Sequence, residues 1–373
     1  MARRVRPTWA EVDLAAIAGN VRAMKSALRP GTGLMAVVKA DGYGHGAVQA
    51  ALAAREGGAE WLGVAIPEEG VSLREAGVGV RILILGWTPP GQVATVVEHD
   101  LAAAVSSLHA AREFARAAGP VEPRLHLKVD TGMGRLGLLP DLAGREEALA
   151  ICALPGVRVE GIFTHFASAD AADKSFATQQ LRSFLAFIDE LERHGVTFGL
   201  RHAANTAAML DMPDSHLDLV RPGLGVYGYR PSPHVSTAVP LRPALAWKTR
   251  VAHLKRLGPG SPVGYGCTYR AIRETTVVTL PVGYADGYPR SLSNNADVLI
   301  GGRRCPVIGR VCMDQLMVEL PQGTETGPGD EVVLLGTQGG EGVNADELAG
   351  RAGTIAHEIL TGISPRVPRV YLH

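Results

Sequence analysis

Short apolar runs recur at intervals through the first 230 or so residues of the chain. Most are separated by segments rich in Ala, Leu and Glu, whose apolar positions repeat with helical spacing. Continuous apolar runs that alternate with helices are typical of parallel strands buried on both faces. The predicted strands are LMAVVK (34–39), WLGVAI (61–66), RILILG (81–86), LAAAVSS (101–107), RLHLKVD (124–130), VEGIFTH (159–165), LRHAAN (200–205) and LDLVRPG (217–223).

Eight strand–helix units in a segment of this length fit a closed (β/α)8 TIM-type barrel. An open doubly wound sheet is the structural alternative. It is weakened by the glycine cluster DGYGHG (41–46), which lacks the GxGxxG spacing of dinucleotide-binding sheets.

The pattern changes after a Pro-rich connector, YRPSPHVSTAVPLRP (229–243). Alternating and β-branched segments punctuated by Gly, Pro and Asp follow, and they predict a mostly antiparallel domain. One helix (345–363) and a last strand, RVPRVYL, complete it. We therefore expect an α/β chain with a barrel at residues 12–238 and a C-terminal mostly-β domain at 239–373.

Composition narrows the function classes. Acidic and basic residues balance at 37 each, so charge gives no case for binding nucleic acid or an anionic membrane. No apolar run approaches the roughly 20 residues of a membrane span, and the N-terminus shows no signal-peptide core. The four cysteines form no CxxC pair and have no zinc-ligand spacing, which is typical of reduced thiols in a cytoplasmic protein.

Lysine is scarce, since only six of the 37 basic residues are lysines. In a barrel enzyme the catalytic groups lie at the C-terminal ends of the strands. The candidates there are Lys39, Lys128 with Asp130, His165, Asn205 with Thr206, and Arg221.

Lys39 closes an apolar strand, where partial desolvation lowers an amine pKa and favours a nucleophile. That chemistry suits a Schiff base with a carbonyl cofactor such as pyridoxal phosphate; the alternative is a strand-end lysine that extends to solvent. Asn205–Thr206 before a short helix, together with the glycines of RPGLGVYG (221–228), indicates an anion site for the cofactor's phosphate or else simple turn chemistry.

Eight motifs spread over nearly the whole chain resemble those of bacterial alanine racemases, in the family's order. They are KADGYGHG, LHLKVDTGMGRLG, HFA, HAANTAA, RPGLGVYG, VGYGCTY, VGYADGYPR and GRVCMDQLMVEL. The resemblance implies a pyridoxal-phosphate barrel followed by a β domain, in a head-to-tail homodimer. It also implies that residues 1–11 pack on the C-terminal domain, and that the product D-alanine supplies peptidoglycan synthesis.

The resemblance assigns cofactor contacts by position. Lys39 would be the Schiff-base lysine, and Arg221 would face the pyridine nitrogen, leaving it unprotonated and limiting side reactions. Five further residues would hold the phosphate: Tyr43 through its hydroxyl, Asn205 and Thr206, and Gly223 and Leu224 through their backbone. Thr206 replaces the family's frequent serine.

Racemisation requires a proton to leave one face of Cα and return to the other. By resemblance, Lys39 would serve the D-enantiomer and Tyr265 of the partner subunit the L-enantiomer. A phenol has an ordinary pKa near 10, so Tyr265 is able to act as a phenolate base at neutral pH only if nearby positive charge stabilises the anion. His165 and Arg221 would supply that charge.

The substrate carboxylate would be held by Arg135 and by the Met313 backbone of the partner, with Tyr284 closing the entrance. Lys128 aligns with a lysine that is carbamylated in many members and orients the arginine; the alternative is a plain pair with Asp130. One position departs from the family, because Pro365 stands where a tyrosine often donates to the phosphate, and proline has no donor.

Several alternatives share parts of this pattern. A racemase of another or broader amino-acid range, such as serine, would keep every catalytic residue. Decarboxylases of the same layout are not expected to carry Tyr265 in VGYG or Arg221 at the ring nitrogen. A non-catalytic pyridoxal-phosphate protein would lack the second domain, and a non-enzymatic interaction protein would lack a visible-absorbing cofactor. No cluster of His, Asp and Glu predicts a catalytic metal.

Overall fold

The computed structural model describes residues 6–117, 119 and 122–373. That part of the chain forms two compact units. The first comprises Ala15–Gly42 and Ala47–Pro243, and the second comprises the segment ending at Leu14, Tyr43–Gly46 and Ala244–His373. Residues 1–5 of the N-terminal segment expected on the C-terminal domain lie outside the described residues.

The first unit contains a parallel sheet whose strands coincide with the eight apolar runs. In chain order they are β2 (Gly33–Val37), β3 (Trp61–Val64), β4 (Arg81–Ile84), β5 (Ala102–Val105), β6 (Arg124–Lys128), β7 (Arg158–Phe163), β8 (Leu200–His202) and β9 (Leu219–Val220), after β1 of the other unit (Trp9–Asp13).

Each strand from β2 to β7 pairs with the next in sequence, and β9 pairs with β2. Backbone hydrogen bonds from Asp218 to Arg201 and from Arg221 to Ala204 join the last two strands. The predicted TIM-type (β/α)8 architecture is thereby confirmed. A layer of apolar side chains fills one level of the barrel: Met35, Trp61, Leu83, Ala102 and Leu219.

Helices separate most of these strands and present their apolar faces to the sheet. They are α1 (Leu14–Ser26), α2 (Ala47–Glu56), α3 (Pro67–Glu75), α4 (Val93–Glu98), α5 (Leu108–Ala117), α6 (Leu142–Cys152), α7 (Ser175–Arg193) and α8 (Thr206–Asp211). In α7, for example, Leu181, Phe184 and Ile188 are buried and recur at three- and four-residue spacing.

The second unit is mostly antiparallel, as predicted. Its strands are β1 together with β10 (Leu245–Arg250), β11 (His253–Leu257), β12 (Pro262–Val263), β13 (Tyr269–Arg270), β14 (Thr275–Leu280), β15 (Asp297–Ile300), β16 (Arg303–Ile308), β17 (Leu316–Leu320), β18 (Glu331–Gln338), β19 (Glu341–Val343) and β20 (Arg369–Leu372). β1 lies between β10 and β20, so the N-terminal strand is built into this sheet.

The single helix expected at 345–363 is wrong, because two helices occupy this segment. α9 (Ala345–Ala352) ends at Gly353, which adopts a left-handed φ of 75°, and α10 (Ala356–Gly362) follows. A left-handed glycine cap satisfies the last carbonyls of a helix and turns the chain away from the helix axis.

Candidate active site

Several of the predicted site residues lie at one end of the barrel. Lys39 follows β2, Lys128 ends β6, His165 follows β7 and Arg221 follows β9. Because the strands are parallel, their C-terminal ends share one mouth of the barrel, where barrel enzymes hold their catalytic groups.

The backbone after Lys39 makes a left-handed turn. Ala40, Asp41, Gly42 and Tyr43 all have φ between 52° and 60°. Glycine adopts this region without strain and aspartate tolerates it, whereas Ala40 and Tyr43 each cost about 1–2 kcal/mol there. The Glu69 carboxylate offsets part of this strain by accepting the Ala40 amide at 2.6 Å. Strained backbone held in place in this way is typical of functional sites.

The Lys39 amine is half-buried, and its pKa is lowered from the ordinary lysine value. Burial is the largest cause, the positive charge of Arg135 adds to it, and Glu69 opposes it. The lowered pKa increases the fraction of neutral amine, which is the form that acts as nucleophile or base.

Lys128 is buried, and its amine lies 4.5 Å from the centre of the Phe163 ring. Burial, Arg221 and Arg135 lower its pKa well below the ordinary value, while Asp130 raises it through its charge. The carboxylate of Asp130 accepts four backbone amides, those of residues 132–135. Asp130 is therefore used to shape the loop that carries the exposed Arg135.

Arg221 is buried and held by protein acceptors on one side. Its Nη2 donates to the Thr164 and Ala203 carbonyls at 2.7 and 3.0 Å, and its Nη1 donates to His202 Nδ1 at 2.9 Å. In the described part of the chain, the Nε–H and the second Nη1–H have no acceptor. Burial lowers the Arg221 pKa to about 9, so the guanidinium stays charged at neutral pH.

His165 is half-buried beside the same guanidinium. Its Nδ1 lies 3.4 Å from Arg221 Nη2. Burial and the charges of Arg221, Lys128, Arg135 and Lys39 lower its pKa well below the ordinary value. The imidazole is therefore neutral at physiological pH. Because its Nδ1 faces the guanidinium, the proton is favoured on Nε2, which is then able to donate.

The expected anion site offers a side-chain hydroxyl and backbone amides as donors. The Thr206 hydroxyl accepts the amides of Gly223 and Gly225 at 3.0 and 3.3 Å, which leaves its own hydrogen to donate. Asn205 caps α8 by accepting the Ala208 amide at 3.0 Å. Leu224 begins a short helical turn, whose first amides lack intrahelical acceptors.

The second unit presents three exposed side chains that the resemblance places in the site. Tyr265 is 72% exposed, Met313 is 53% exposed and Tyr284 is 42% exposed. The Tyr284 amide donates to the Cys312 carbonyl at 3.0 Å, beside Met313.

Two further positions of the expected site lie in the second unit. Tyr43 is buried, and its ring centre lies 5.9 Å from that of His357. Pro365 is exposed in the turn before β20.

Three buried polar residues of the barrel interior were not predicted as site residues. They are His202, His126 and Glu160, none of which has an assigned role in the sequence analysis, yet His202 contacts Arg221 directly. A signal was present in RLHLK, where polar residues alternate with leucine within a strand of a barrel.

Two negative findings apply to the described ranges. No group of three or more His, Cys, Asp or Glu side chains there is arranged to hold a metal ion. The helices described there are all too short or too polar to cross a bilayer.

Comparison with known proteins identifies the family. The model "Alanine racemase, N-terminal domain" matches residues 12–231, and "Alanine racemase, C-terminal domain" matches residues 244–371. The alanine racemase of Symbiobacterium thermophilum is 51% identical over 369 residues, which is 98% of this chain and 97% of that relative.

Solved structures agree with this assignment. The alanine racemase of Streptomyces coelicolor A3(2) has a TM-score of 0.95 at 42% identity, covering 100% of both chains. That of Clostridium difficile 630 has a TM-score of 0.94 at 37% identity, covering 99% of this chain and 97% of its own. The chain belongs to the alanine racemase family and is an amino-acid racemase.

Proposed function

We propose that the chain interconverts L-alanine and D-alanine with pyridoxal phosphate, in a homodimer whose subunits share their active sites. The observation that carries this proposal is the presence of Lys39, with its lowered amine pKa, at the same barrel mouth as a buried, charged Arg221. The supply of D-alanine to peptidoglycan and a cytoplasmic location belong to the same proposal. The four free cysteines support a reducing compartment.

The residues of the barrel mouth fit pyridoxal phosphate. Lys39 would bond to its aldehyde carbon, and the unpaired donors of Arg221 would face the pyridine nitrogen. Thr206 would donate its free hydroxyl hydrogen to the phosphate, with the Leu224 amide beside it. The Gly223 amide already donates to Thr206, so it would serve the phosphate through that hydroxyl. Tyr43 would contribute its hydroxyl to the phosphate. Asn205 would contribute by capping α8, the helix that begins at Thr206.

Pyridoxal phosphate, when bound, supplies an electron sink that acidifies the Cα hydrogen of an amino acid. A charged guanidinium gives up its proton reluctantly, so Arg221 would leave the ring nitrogen unprotonated and the sink moderate. That choice disfavours side reactions such as transamination.

Two side chains would move the proton. The Lys39 amine would hold it on the face that yields the D-enantiomer, and the Tyr265 phenolate of a partner subunit would hold it on the other face. The free Nε2–H of neutral His165 is suited to stabilise that phenolate by donating to it, with the Arg221 charge behind it.

Substrate binding would use the loop that Asp130 organises. Arg135 would pair with the alanine carboxylate, together with the Met313 backbone of the partner, and Tyr284 would narrow the entrance. The lowered pKa of the buried Lys128 amine favours its neutral form, which can add dissolved carbon dioxide and release a proton to solvent. The resulting carbamate anion would orient Arg135.

We also retain, as a proposal, the division of the chain into domains at residues 12–238 and 239–373, with residues 1–11 on the second. The two compact units and the position of β1 beside β10 and β20 support it.

The direct test is a racemisation assay with the holoenzyme and its Tyr265→Phe variant. We expect L-to-D turnover to fall by at least about 100-fold, the scale for loss of a positioned acid–base group. Cofactor absorbance should be retained. Tyr269→Phe is the matched control, because that phenol is bonded to Glu319 and its pKa is raised to about 12. Equal activity in Tyr265→Phe and wild type would contradict the two-base proposal.

The substrate range needs a second assay. We expect L-alanine to give the highest kcat/KM in a panel of L-amino acids. A higher value for serine or another amino acid would overturn the substrate assignment and leave the racemase class intact.

A further inference from the structure

Four polar side chains cross the interior of the barrel in a line that starts at Arg221. Arg221 Nη1 donates to His202 Nδ1 at 2.9 Å, and His202 Nε2 lies 2.8 Å from His126 Nδ1. His126 Nε2 lies 3.4 Å from Glu160 Oε1. All four residues are buried. We call Arg221, His202, His126 and Glu160 the interior network.

The donors and acceptors of the interior network have only one consistent arrangement for neutral imidazoles. A guanidinium can only donate, so His202 Nδ1 must be the acceptor and His202 Nε2 must carry the proton. His126 Nδ1 then accepts, and His126 Nε2 carries a proton directed at the Glu160 carboxylate. Every bond therefore runs in the same direction, from the arginine to the carboxylate.

The local structure of β7 brings this carboxylate into the barrel. The register of β6 and β7 shifts after Leu125, so that Glu160 is an extra residue on β7. Such a bulge redirects a side chain and breaks the alternation of a strand. Gly161 follows, and a Cβ there would lie 2.4 Å from His126 Nδ1. The bulge and the glycine together make room for Glu160 and His126 to meet.

The charges of the interior network agree with this arrangement. Burial lowers the pKa of His126 and of His202, so both imidazoles are neutral at physiological pH. Burial opposes the ionisation of Glu160, but the hydrogen bond from His126 and the charges of Arg81 and Arg124 outweigh it and lower that pKa. A carboxylate accepts more strongly than a neutral group, which fixes the direction of the bonds.

We propose that Glu160 is a positioning residue for Arg221, acting through His126 and His202. Its carboxylate selects the tautomers that leave His202 Nδ1 free to accept from Arg221, and so holds the guanidinium in its orientation at the mouth of the barrel. The inference rests on the proposed role of Arg221 toward the cofactor ring.

The test compares Glu160→Met with Glu160→Gln in the holoenzyme. The two replacements have similar volume and both remove the charge beside Arg81. Only glutamine keeps an oxygen that accepts from His126 Nε2. Without that acceptor, the Nε2–H of His126 is buried and unsatisfied. That cost is relieved only where both imidazoles carry their protons on Nδ1, which breaks the hydrogen bond from Arg221 to His202. The two costs then compete, so both tautomer arrangements should be populated.

Histidine-selective 15N NMR reads the tautomers directly, with signals assigned by single replacements. We expect Nε2–H at both His126 and His202 in wild type and Glu160→Gln, and a population of Nδ1–H at both in Glu160→Met. In the racemisation assay we expect kcat/KM to fall about 10- to 100-fold in Glu160→Met, as for other groups that orient a site residue from behind. Glu160→Gln should stay within about threefold of wild type, since it keeps the acceptor.

Two results would overturn the inference. One is unchanged tautomers in Glu160→Met, whatever its activity. The other is the same loss of activity in both variants, which would indicate a role of the charge in stability alone. If Glu160→Met does not fold, Glu160→Asp replaces it. The shorter side chain draws the acceptor away from His126 and keeps the charge, so mixed tautomers are expected, and wild-type tautomers would overturn the inference.

Failure of the proposed function would look different. A wild-type enzyme that does not racemise alanine contradicts the proposed activity, whereas the tautomers of His126 and His202 test the interior network in either case.

Discussion

At the scale of single residues, the two lysines of the barrel mouth differ from most of the other lysines in their surroundings. Three lysines have carboxylate partners: Lys25 with Glu60, Lys174 with Asp211, and Lys248 with Glu11 and Glu331. Lys39 is half-buried and Lys128 is buried, and burial and nearby positive charges lower the pKa of both amines, although Glu69 and Asp130 oppose these shifts. Amines buried at a strand end with a lowered pKa are costly to maintain and indicate a functional site.

Thr206 provides a prediction at the same scale. Thr206→Val keeps the shape of the side chain but leaves the Gly223 and Gly225 amides without their acceptor and the phosphate without a donor. We expect pyridoxal phosphate to bind about 10- to 100-fold more weakly, corresponding to about 1–3 kcal/mol. Titration of the apoenzyme, followed by cofactor absorbance, measures this affinity.

Thr206→Ser is the control for that experiment, because it keeps the hydroxyl at the same position. Its cofactor affinity should stay close to that of the wild type. Equal weakening in both variants would show that the methyl group, and not the hydroxyl, matters at this position.

At the scale of elements, Asp130 links β6 to the conformation of the loop that bears Arg135. Burial opposes its ionisation, but the amides of residues 132–135 outweigh this effect and lower the Asp130 pKa. The Asp130 carboxylate thus holds the loop in its conformation. Removal of that carboxylate should release the loop and misplace Arg135, although the Arg135 side chain itself is unchanged.

We therefore expect Asp130→Ala to raise KM for alanine about tenfold with a smaller effect on kcat, the signature of lost substrate binding. Steady-state kinetics in both directions measures the split. Asp141→Ala is the matched control: Asp141 caps α6 through the Gly144 amide, so its loss should cost about 1 kcal/mol of stability and leave KM unchanged. An unchanged KM in Asp130→Ala would contradict the proposed role of the loop.

The elements also show where sequence patterns stop being informative. The eight barrel strands were predictable because strands buried on both faces are continuously apolar. The break between α9 and α10 was not, because apolar positions with helical spacing continue across Gly353. The left-handed turn after Lys39 was not predictable either. Ala40, Asp41 and Tyr43 adopt this conformation because tertiary contacts stabilise it, such as the hydrogen bond from the Ala40 amide to Glu69.

The candidate site divides in the same way. Lys39, Lys128, His165 and Arg221 were accessible as polar residues at the ends of apolar runs. Glu160 was hidden because its position depends on a bulge, and a bulge depends on the register between two strands rather than on one segment. His126 was not predicted because alternating polar and apolar residues usually indicate a strand with one face in solvent. That interpretation places the His126 side chain in solvent, whereas it is buried.

At the scale of the whole molecule, the proposed catalytic groups lie on two different units. Lys39 belongs to the barrel unit, and the exposed Tyr265 belongs to the mostly-β unit. The central claim is that each complete site takes Lys39 from one subunit and Tyr265 from its partner. A twofold dimer built in this way has two equivalent sites, each made of both chains.

Complementation between two inactive variants tests this claim most directly. Lys39→Ala and Tyr265→Phe are purified separately, mixed in equal amounts, dissociated and allowed to reassociate, and alanine racemisation is then measured. In a mixed dimer with shared sites, one site carries both substitutions and the other is wild type. With random pairing, about a quarter of the wild-type activity should return. No recovery in a mixture shown to contain mixed dimers would mean that each subunit completes its own site, and would contradict the account.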